Sequence, residues 1–176
     1  MPGINESLEF VPVRIAVLTV SDTRTEKDDT SGDLLAARIK EAGHELAGRT
    51  IVRDDVKAIQ EKVRDWIDDE SVDVVISTGG TGLTGRDVTP EALMPLFEKT
   101  IDGFSAVFHK VSFDSIGLST LQSRACAGVA KGTFIFCLPG SNGAVKDGWD
   151  KVLSYQLDIR HRPCNFVEIM PRLMER

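Results

Sequence analysis

Cysteine is scarce in this sequence, and the three cysteines show no metal-binding spacing. Cys126, Cys137 and Cys164 are odd in number and widely separated, and no CxxC motif is present. This pattern argues against a disulfide framework and against a structural zinc site. We therefore expect reduced thiols and a cytoplasmic location.

Long apolar runs are also absent. The longest strongly apolar run, Ile15 to Val20, is far too short to cross a bilayer. The first ten residues, MPGINESLEF, contain no cationic region followed by an apolar core, so we expect no secretory signal. Internal repeats and flexible linkers are missing as well, which predicts a single domain over residues 1–176, with peripheral tails at 1–11 and 167–176.

Positive charge is in deficit. The chain of 176 residues carries 21 Lys and Arg against 27 Asp and Glu, which gives a net charge of −6. A broad nucleic-acid or acidic-membrane surface needs clustered cations, so we expect no nucleic-acid partner and no membrane partner. A small anionic ligand held at one local site remains compatible with this charge.

Strand-like and helix-like segments alternate along the chain. Nearly continuous apolar runs at 13–20, 72–77 and 134–138 predict strands that are buried on both faces. Apolar residues at helical spacing predict helices at about 34–42, 59–67, 104–111 and 145–157, and Thr89-Pro90 predicts the start of another. A short strand is expected within 45–52. The alternation predicts an α/β fold with a mostly parallel sheet.

Two polar loops follow predicted buried strands. Thr78-Gly79-Gly80-Thr81-Gly82 follows the strand that ends at Ser77, and Pro139-Gly140-Ser141 follows the strand that ends at Leu138. In open α/β sheets, ligands bind at the carboxyl ends of the strands. Three glycines and two threonines in one such loop predict a ligand site, because peptide N–H groups and hydroxyls donate to phosphate oxygens.

The glycine loop fits neither common nucleotide-binding motif. GxGxxG is present at 80–85, but the next helix begins only near Pro90, and no strand ends in an acidic residue at the expected distance. A P-loop would need Lys and Ser or Thr where Arg86 and Asp87 stand. Asp87 would repel an anionic ligand directly, so a carboxylate beside phosphate donors suggests magnesium between them.

The string TGGTGLTGRDVTPEA at 78–92, with Ser123-Arg124-Ala125 and Leu138 to Ser141, resembles the molybdenum cofactor biosynthesis protein B and molybdopterin adenylyltransferase family. The resemblance covers roughly residues 12–165, and the segment 156–166 is similar to the B branch. It implies a three-layer molybdopterin-binding fold that assembles as a homotrimer or homohexamer, with other cofactor-biosynthesis proteins as further partners. It also implies adenylylation of the terminal phosphate of molybdopterin by ATP with Mg²⁺, with release of pyrophosphate.

The resemblance assigns roles to individual residues. Asp54 and Asp87 are implied as the catalytic carboxylates and as the metal ligands, with Asp55 as a one-residue alternative to Asp54. Substrate contacts are implied at Thr78, Gly79, Gly80, Thr81, Gly82, Ser123, Arg124, Pro139, Gly140 and Ser141. Nucleotide contacts are implied at Ser21, Asp22, Ser31 and Gly32.

Two alternatives remain open at this stage. A non-catalytic molybdopterin-binding protein of the same pathway would keep the shape of the site without turnover. A general nucleotide-binding regulator is the weaker alternative, because neither nucleotide motif is complete. Arg86 and Arg124 would either neutralise negative charge in the reaction or form structural ion pairs, and the ion pair is the commoner case.

Overall fold

The computed structural model describes residues 3–175 and contains a six-stranded sheet with helices on both faces. The strands of this sheet are β2 (Arg14–Val20), β3 (Glu45–Val52), β4 (Val74–Thr78), β5 (Lys99–Thr100), β6 (Cys126–Ala130) and β7 (Thr133–Leu138). A separate antiparallel pair joins β1 (Gly3–Ile4) to β8 (His161–Arg162). Within residues 3–175, no helix is long and apolar enough to cross a membrane.

The sheet is mostly parallel, as the sequence predicts. Its strand order is β3-β2-β4-β7-β6-β5. Strands β3, β2, β4 and β7 run parallel, whereas β6 pairs antiparallel with both β7 and β5. The chain therefore passes from β2 to the edge strand β3 and then returns to β4, on the other side of β2. This reversal makes a crevice at the carboxyl ends of β2 and β4.

Each face of the sheet packs against its own helices. The helices are α1 (Thr30–Glu41), α2 (Val56–Ile67), α3 (Thr89–Leu93), α4 (Asp102–Ile116), α5 (Asn142–Gly148), α6 (Ser154–Gln156) and α7 (Phe166–Ile169). Ile15 and Val17 of β2 pack with α1, α4 and α5, whereas Ala16 and Leu18 pack with α2 and α3. Alternate residues of one strand thus serve two cores, and the three-layer α/β prediction is confirmed.

The first residues of two helices make contacts that local sequence patterns do not show. Helix α1 begins at Thr30 and is capped by Asp29, whose carboxylate accepts the Gly32 N–H at 3.1 Å. Helix α3 begins at Thr89-Pro90, as predicted, but the Thr89 hydroxyl donates to the Gly79 carbonyl at 2.8 Å and does not cap the helix. The cap of α1 is thus a local contact, whereas the Thr89 hydroxyl is held by a contact with the glycine loop.

Short or irregular elements complete the chain. Helix α4 extends well beyond the predicted 104–111 and continues into a 3-10 helix at Gly117–Gln122. The predicted last helix is divided into α5, a π-helical turn at Trp149–Leu153, and α6. In the C-terminal segment, which was predicted to be peripheral, Val167 is buried in the main core.

Candidate functional site

The carboxyl ends of the four parallel strands meet at one cavity of about 880 Å³. Ser21 follows β2, Asp54 follows β3, the glycine loop 79–82 follows β4, and Pro139–Ser141 follows β7. These segments are far apart in sequence and become neighbours only because parallel strands end at the same edge of the sheet. The cavity therefore stands where the sequence predicted a ligand site.

The glycine loop and the PGS loop (Pro139–Ser141) are in direct backbone contact. The Gly79 N–H donates to the Leu138 carbonyl at 3.0 Å, and Gly79 has φ +105°. A Cβ on Gly79 would lie 2.3 Å from the Val20 carbonyl oxygen, and one on Gly140 would lie 3.1 Å from the Gly79 Cα. Only glycine at position 79 allows β2 and β4 to end this close together.

Asp54 lies on the cavity wall, while its neighbour Asp55 has a different task. The Asp55 carboxylate caps α2 by accepting the Ala58 N–H at 2.8 Å. Burial and the nearby carboxylate of Asp22 raise the pKa of Asp54, and Asp87 adds to this rise. The structure therefore distinguishes the two aspartates that the sequence left as alternatives: Asp54 faces the cavity and Asp55 does not line it.

Asp87 is held from within its own loop. The Thr84 hydroxyl donates to its Oδ2 at 2.6 Å and the Thr84 N–H donates to the same atom at 2.9 Å. These hydrogen bonds lower the pKa of Asp87, so the group stays ionised in the neutral range. A Cβ on Gly82 would lie 2.7 Å from Oδ2, so a side chain at position 82 would displace the carboxylate. Asp87 also lines the cavity.

Two carboxylates suit a magnesium ion that is completed by a substrate. Within residues 3–175, no three His, Cys, Asp or Glu side chains gather closely enough to hold a metal alone. Mg²⁺ commonly takes one or two carboxylates together with phosphate oxygens and water, so Asp54 and Asp87 fit that requirement. Burial first, and the nearby carboxylates of Asp22 and Asp87 second, raise the pKa of Asp54, and a bound cation would favour its ionised form.

Arg124 does not line the cavity but holds the glycine loop from behind. Its Nε donates to the Gly82 carbonyl at 2.9 Å and its Nη2 to the Asp87 carbonyl at 2.8 Å. Its Nη1 forms an ion pair with Glu91. The backbone N–H of Arg124 donates to the Thr81 carbonyl at 3.0 Å. These bonds tie the segment just before β6 to the loop that carries Asp87.

The remaining residues implied by the resemblance divide into two groups. The first group lines the cavity: Ser21, Gly79, Gly80, Thr81, Gly82, Ser123, Pro139, Gly140 and Ser141. The second group lies outside the lining: Thr78, Asp22, Ser31 and Gly32, together with Arg124. Thr78 donates to the Pro139 carbonyl at 3.1 Å, and Asp22 pairs with Arg86 and accepts the Asp54 N–H at 3.3 Å. Ser31 and Gly32 are buried.

Arg24 is a lining residue that sequence reasoning missed. Its Nη2 donates to the Gly140 carbonyl at 2.8 Å, and its Nη1 bonds the Ser31 hydroxyl. Asp29, which is fully buried, lies 3.6 Å from the same guanidinium. Arg24 thus connects the loop after β2 to the PGS loop, which explains why Ser31 contacts Arg24 rather than the cavity.

The opposite wall of the cavity was also missed. It comes from α4, the following 3-10 helix and α5, and its side chains include Ser112, Ser115, Ser119, Thr120 and Asp147. Ser112 and Ser115 lie three residues apart on one face of α4, and Ser119 and Thr120 follow in the 3-10 helix. That hydroxyl stripe was visible in the sequence, but nothing local showed that it faces the glycine loop.

Comparison with known proteins agrees with this geometry. Residues 16–159 match the family model described as a probable molybdopterin binding domain. The chain is 52% identical over 160 residues to molybdenum cofactor biosynthesis protein B of Escherichia coli (strain K12), covering 91% of this chain and 94% of that protein. It is 45% identical over 146 residues to the protein of the same name from Bacillus subtilis (strain 168), covering 82% and 86%.

A solved structure shares the fold as well. The crystal structure of a molybdenum cofactor biosynthesis protein B superposes with a TM-score of 0.81 at 44% identity, covering 84% of this chain and 92% of that chain. The family model spans most of the chain, and its matched range contains all four strand-end loops that form the cavity. The chain therefore belongs to the molybdopterin-binding-domain family that includes these molybdenum cofactor biosynthesis proteins.

Proposed function

We propose that this protein acts in molybdenum cofactor biosynthesis by binding molybdopterin and adenylylating its terminal phosphate with ATP. The observation that carries the proposal is the placement of two ionisable carboxylates, Asp54 and Asp87, in the same cavity as the glycine and PGS loops. The names of the relatives support the pathway, and the geometry supports a phosphate-handling site in which a metal ion offsets charge.

The reaction needs positioning more than covalent work by the protein. A phosphate oxygen of molybdopterin attacks the α-phosphorus of ATP, a new P–O–P linkage forms, and the bond to pyrophosphate breaks. Asp54 and Asp87 would hold Mg²⁺, which supplies charge neutralisation for the triphosphate. The backbone of the glycine loop would orient the phosphate without adding net charge.

Assembly as a homotrimer or homohexamer remains part of the proposal. Large apolar side chains are exposed along α4 and its 3-10 extension: Phe113 (51%), Ile116 (54%), Leu118 (73%) and Leu121 (72%). A patch of this kind is typical of a protein interface. Sedimentation of the purified chain distinguishes the two assemblies, and a monomer would contradict both. Cytoplasmic location likewise stays a prediction.

Incubation of the protein with molybdopterin, ATP and Mg²⁺ tests the activity, with adenylylated pterin and pyrophosphate as the measured products. We expect product from the wild type and at least a hundredfold loss in Asp54→Asn and in Asp87→Asn, an order of magnitude typical of a lost electrostatic contact in a transition state. Asp55→Asn is the matched control, since Asn caps a helix about as well as Asp.

The outcomes separate the candidate functions. Tight molybdopterin binding without product identifies a non-catalytic binding protein and refutes adenylylation. Full activity of Asp54→Asn with loss in Asp55→Asn would contradict the assignment of the second carboxylate.

A further inference from the structure

Asp147 is a buried carboxylate on the cavity wall that neither the resemblance nor the proposed reaction uses. Asp147 is 6% exposed and lies on α5, next to the serines of α4 on the same wall of the cavity. A buried carboxylate needs partners that offset its lost hydration. The contacts of its two oxygens therefore show what else it can bind.

The two oxygens of Asp147 have different surroundings. Oδ1 accepts the Ser115 hydroxyl at 2.8 Å and faces the Lys151 Nζ at 2.6 Å. Among residues 3–175, no hydrogen bond reaches Oδ2, and this atom is not one of the fully enclosed unpartnered ones. The carboxylate is thus fixed through one oxygen and keeps the other accessible in a residue that lines the cavity.

The free oxygen selects the chemistry of its partner. A carboxylate oxygen accepts hydrogen bonds, so Oδ2 suits an N–H donor rather than a phosphate or another carboxylate. Neutral hydroxyls of Ser112, Ser119 and Thr120 line the same part of the cavity. The part of the cavity around Asp147 therefore suits an uncharged polar ring. The exposed Lys146, which also lines the cavity, suits an anionic substituent.

We propose that Asp147 is a specificity-determining residue whose Oδ2 accepts a hydrogen bond from the exocyclic 2-amino group of the pterin ring. The inference rests on the proposed function, because that function supplies a pterin as the ligand. Ser115 and Lys151 act as positioning residues, since their donors hold Oδ1 and thereby aim Oδ2. A structural ion pair alone would not require the second oxygen to remain accessible.

Ligands that carry either a hydrogen-bond donor or an acceptor at C2 of the ring test this assignment. Pterin and lumazine (the 2,4-dioxopteridine) differ at C2, where pterin carries an amino donor and lumazine a carbonyl acceptor. In Asp147→Asn, Lys151 and Ser115 should hold the amide oxygen in the Oδ1 position, because the lysine only donates. The amide nitrogen then replaces Oδ2 and pairs with the carbonyl of lumazine.

Fluorescence titration of the two free pteridines gives the measurement. We expect the wild type to bind pterin about tenfold more tightly than lumazine, the order of one hydrogen bond to a charged group. Asp147→Asn should reverse this preference, and Asp147→Ala should bring the ratio near one. Asp150→Asn is the control, because Asp150 pairs with Arg38 outside the cavity and should keep the wild-type ratio.

The inference is overturned if a folded Asp147→Asn variant keeps the wild-type ratio of pterin to lumazine affinity, or loses affinity equally for both pteridines. It is also overturned if the wild type binds neither pteridine or does not prefer pterin. Folding of each variant is checked by its urea midpoint, and the Ala variant serves if the Asn variant does not fold. The adenylylation assay keeps the two proposals apart. Product formation without pterin preference overturns only the role of Asp147, whereas reversed preference without product overturns only the adenylylation.

Discussion

Replacement of Arg124 by lysine tests whether the glycine loop is held from behind. In the wild type, one guanidinium donates to the Gly82 and Asp87 carbonyls and pairs with Glu91. Lysine keeps the charge but offers a compact ammonium group that cannot reach three diverging acceptors. Arg124→Lys therefore leaves at least two of these contacts unmade.

The expected cost follows from the number and exposure of these bonds. A hydrogen bond from a charged donor contributes about 1.5–3 kcal/mol when it is well buried. The Arg124 side chain is 31% exposed, so water partly replaces the lost donors. We therefore expect about 1 kcal/mol for each of two bonds, or about 2 kcal/mol of lost unfolding free energy.

Urea denaturation measures this loss through the shift of the midpoint at constant slope. Arg86→Lys is the matched control, because Arg86 is 73% exposed and its ion pair with Asp22 is expected to contribute less than about 1 kcal/mol. A change of less than about 0.5 kcal/mol in Arg124→Lys would refute the reasoning. If stability falls as expected, turnover should fall with it, because the loop that carries Asp87 loses its support.

Two further predictions concern the frame of the site. Gly79→Ala should lower the unfolding free energy by about 2–4 kcal/mol, because φ +105° is strained for alanine and its Cβ would overlap the Val20 carbonyl; a calorimetric Tm within about 2 °C of the wild type would contradict this. His44 is buried and its Nδ1 accepts the Val13 N–H at 3.1 Å, and burial lowers its pKa below the ordinary 6.5. As pH falls, the imidazole of His44 is protonated in the unfolded chain before it is protonated in the folded one. The contribution of His44 to the unfolding free energy should therefore be complete above pH 6.5 and decline as pH falls below it. His44→Asn should remove that part of the slope in urea midpoints measured between pH 8 and 5, and an unchanged slope would count against the assignment.

Local patterns in the sequence predicted the parallel part of the sheet because those strands are buried on both faces. The runs at 13–20, 72–77 and 134–138 correspond to β2, β4 and β7 within one or two residues at either end. By contrast, β6 was not predicted, since Val129 is the one strong strand former in Cys126–Ala130 and the others are small residues. Its pairing with β7 supplies the stability that its own sequence does not indicate.

The sequence by itself determined the α/β architecture, the family resemblance and the loops that follow the buried strands, because strand burial and glycine-rich turns depend on neighbouring residues. Only the tertiary structure decided which side chains face the cavity. Asp54 lines it while Asp55 caps a helix, and Arg124 supports the loop without lining it. Arg24 and Asp147 join the site through contacts between distant segments, which depend on strand order and on side-chain direction. Those two properties are fixed by packing across the sheet and have no local signature in the chain.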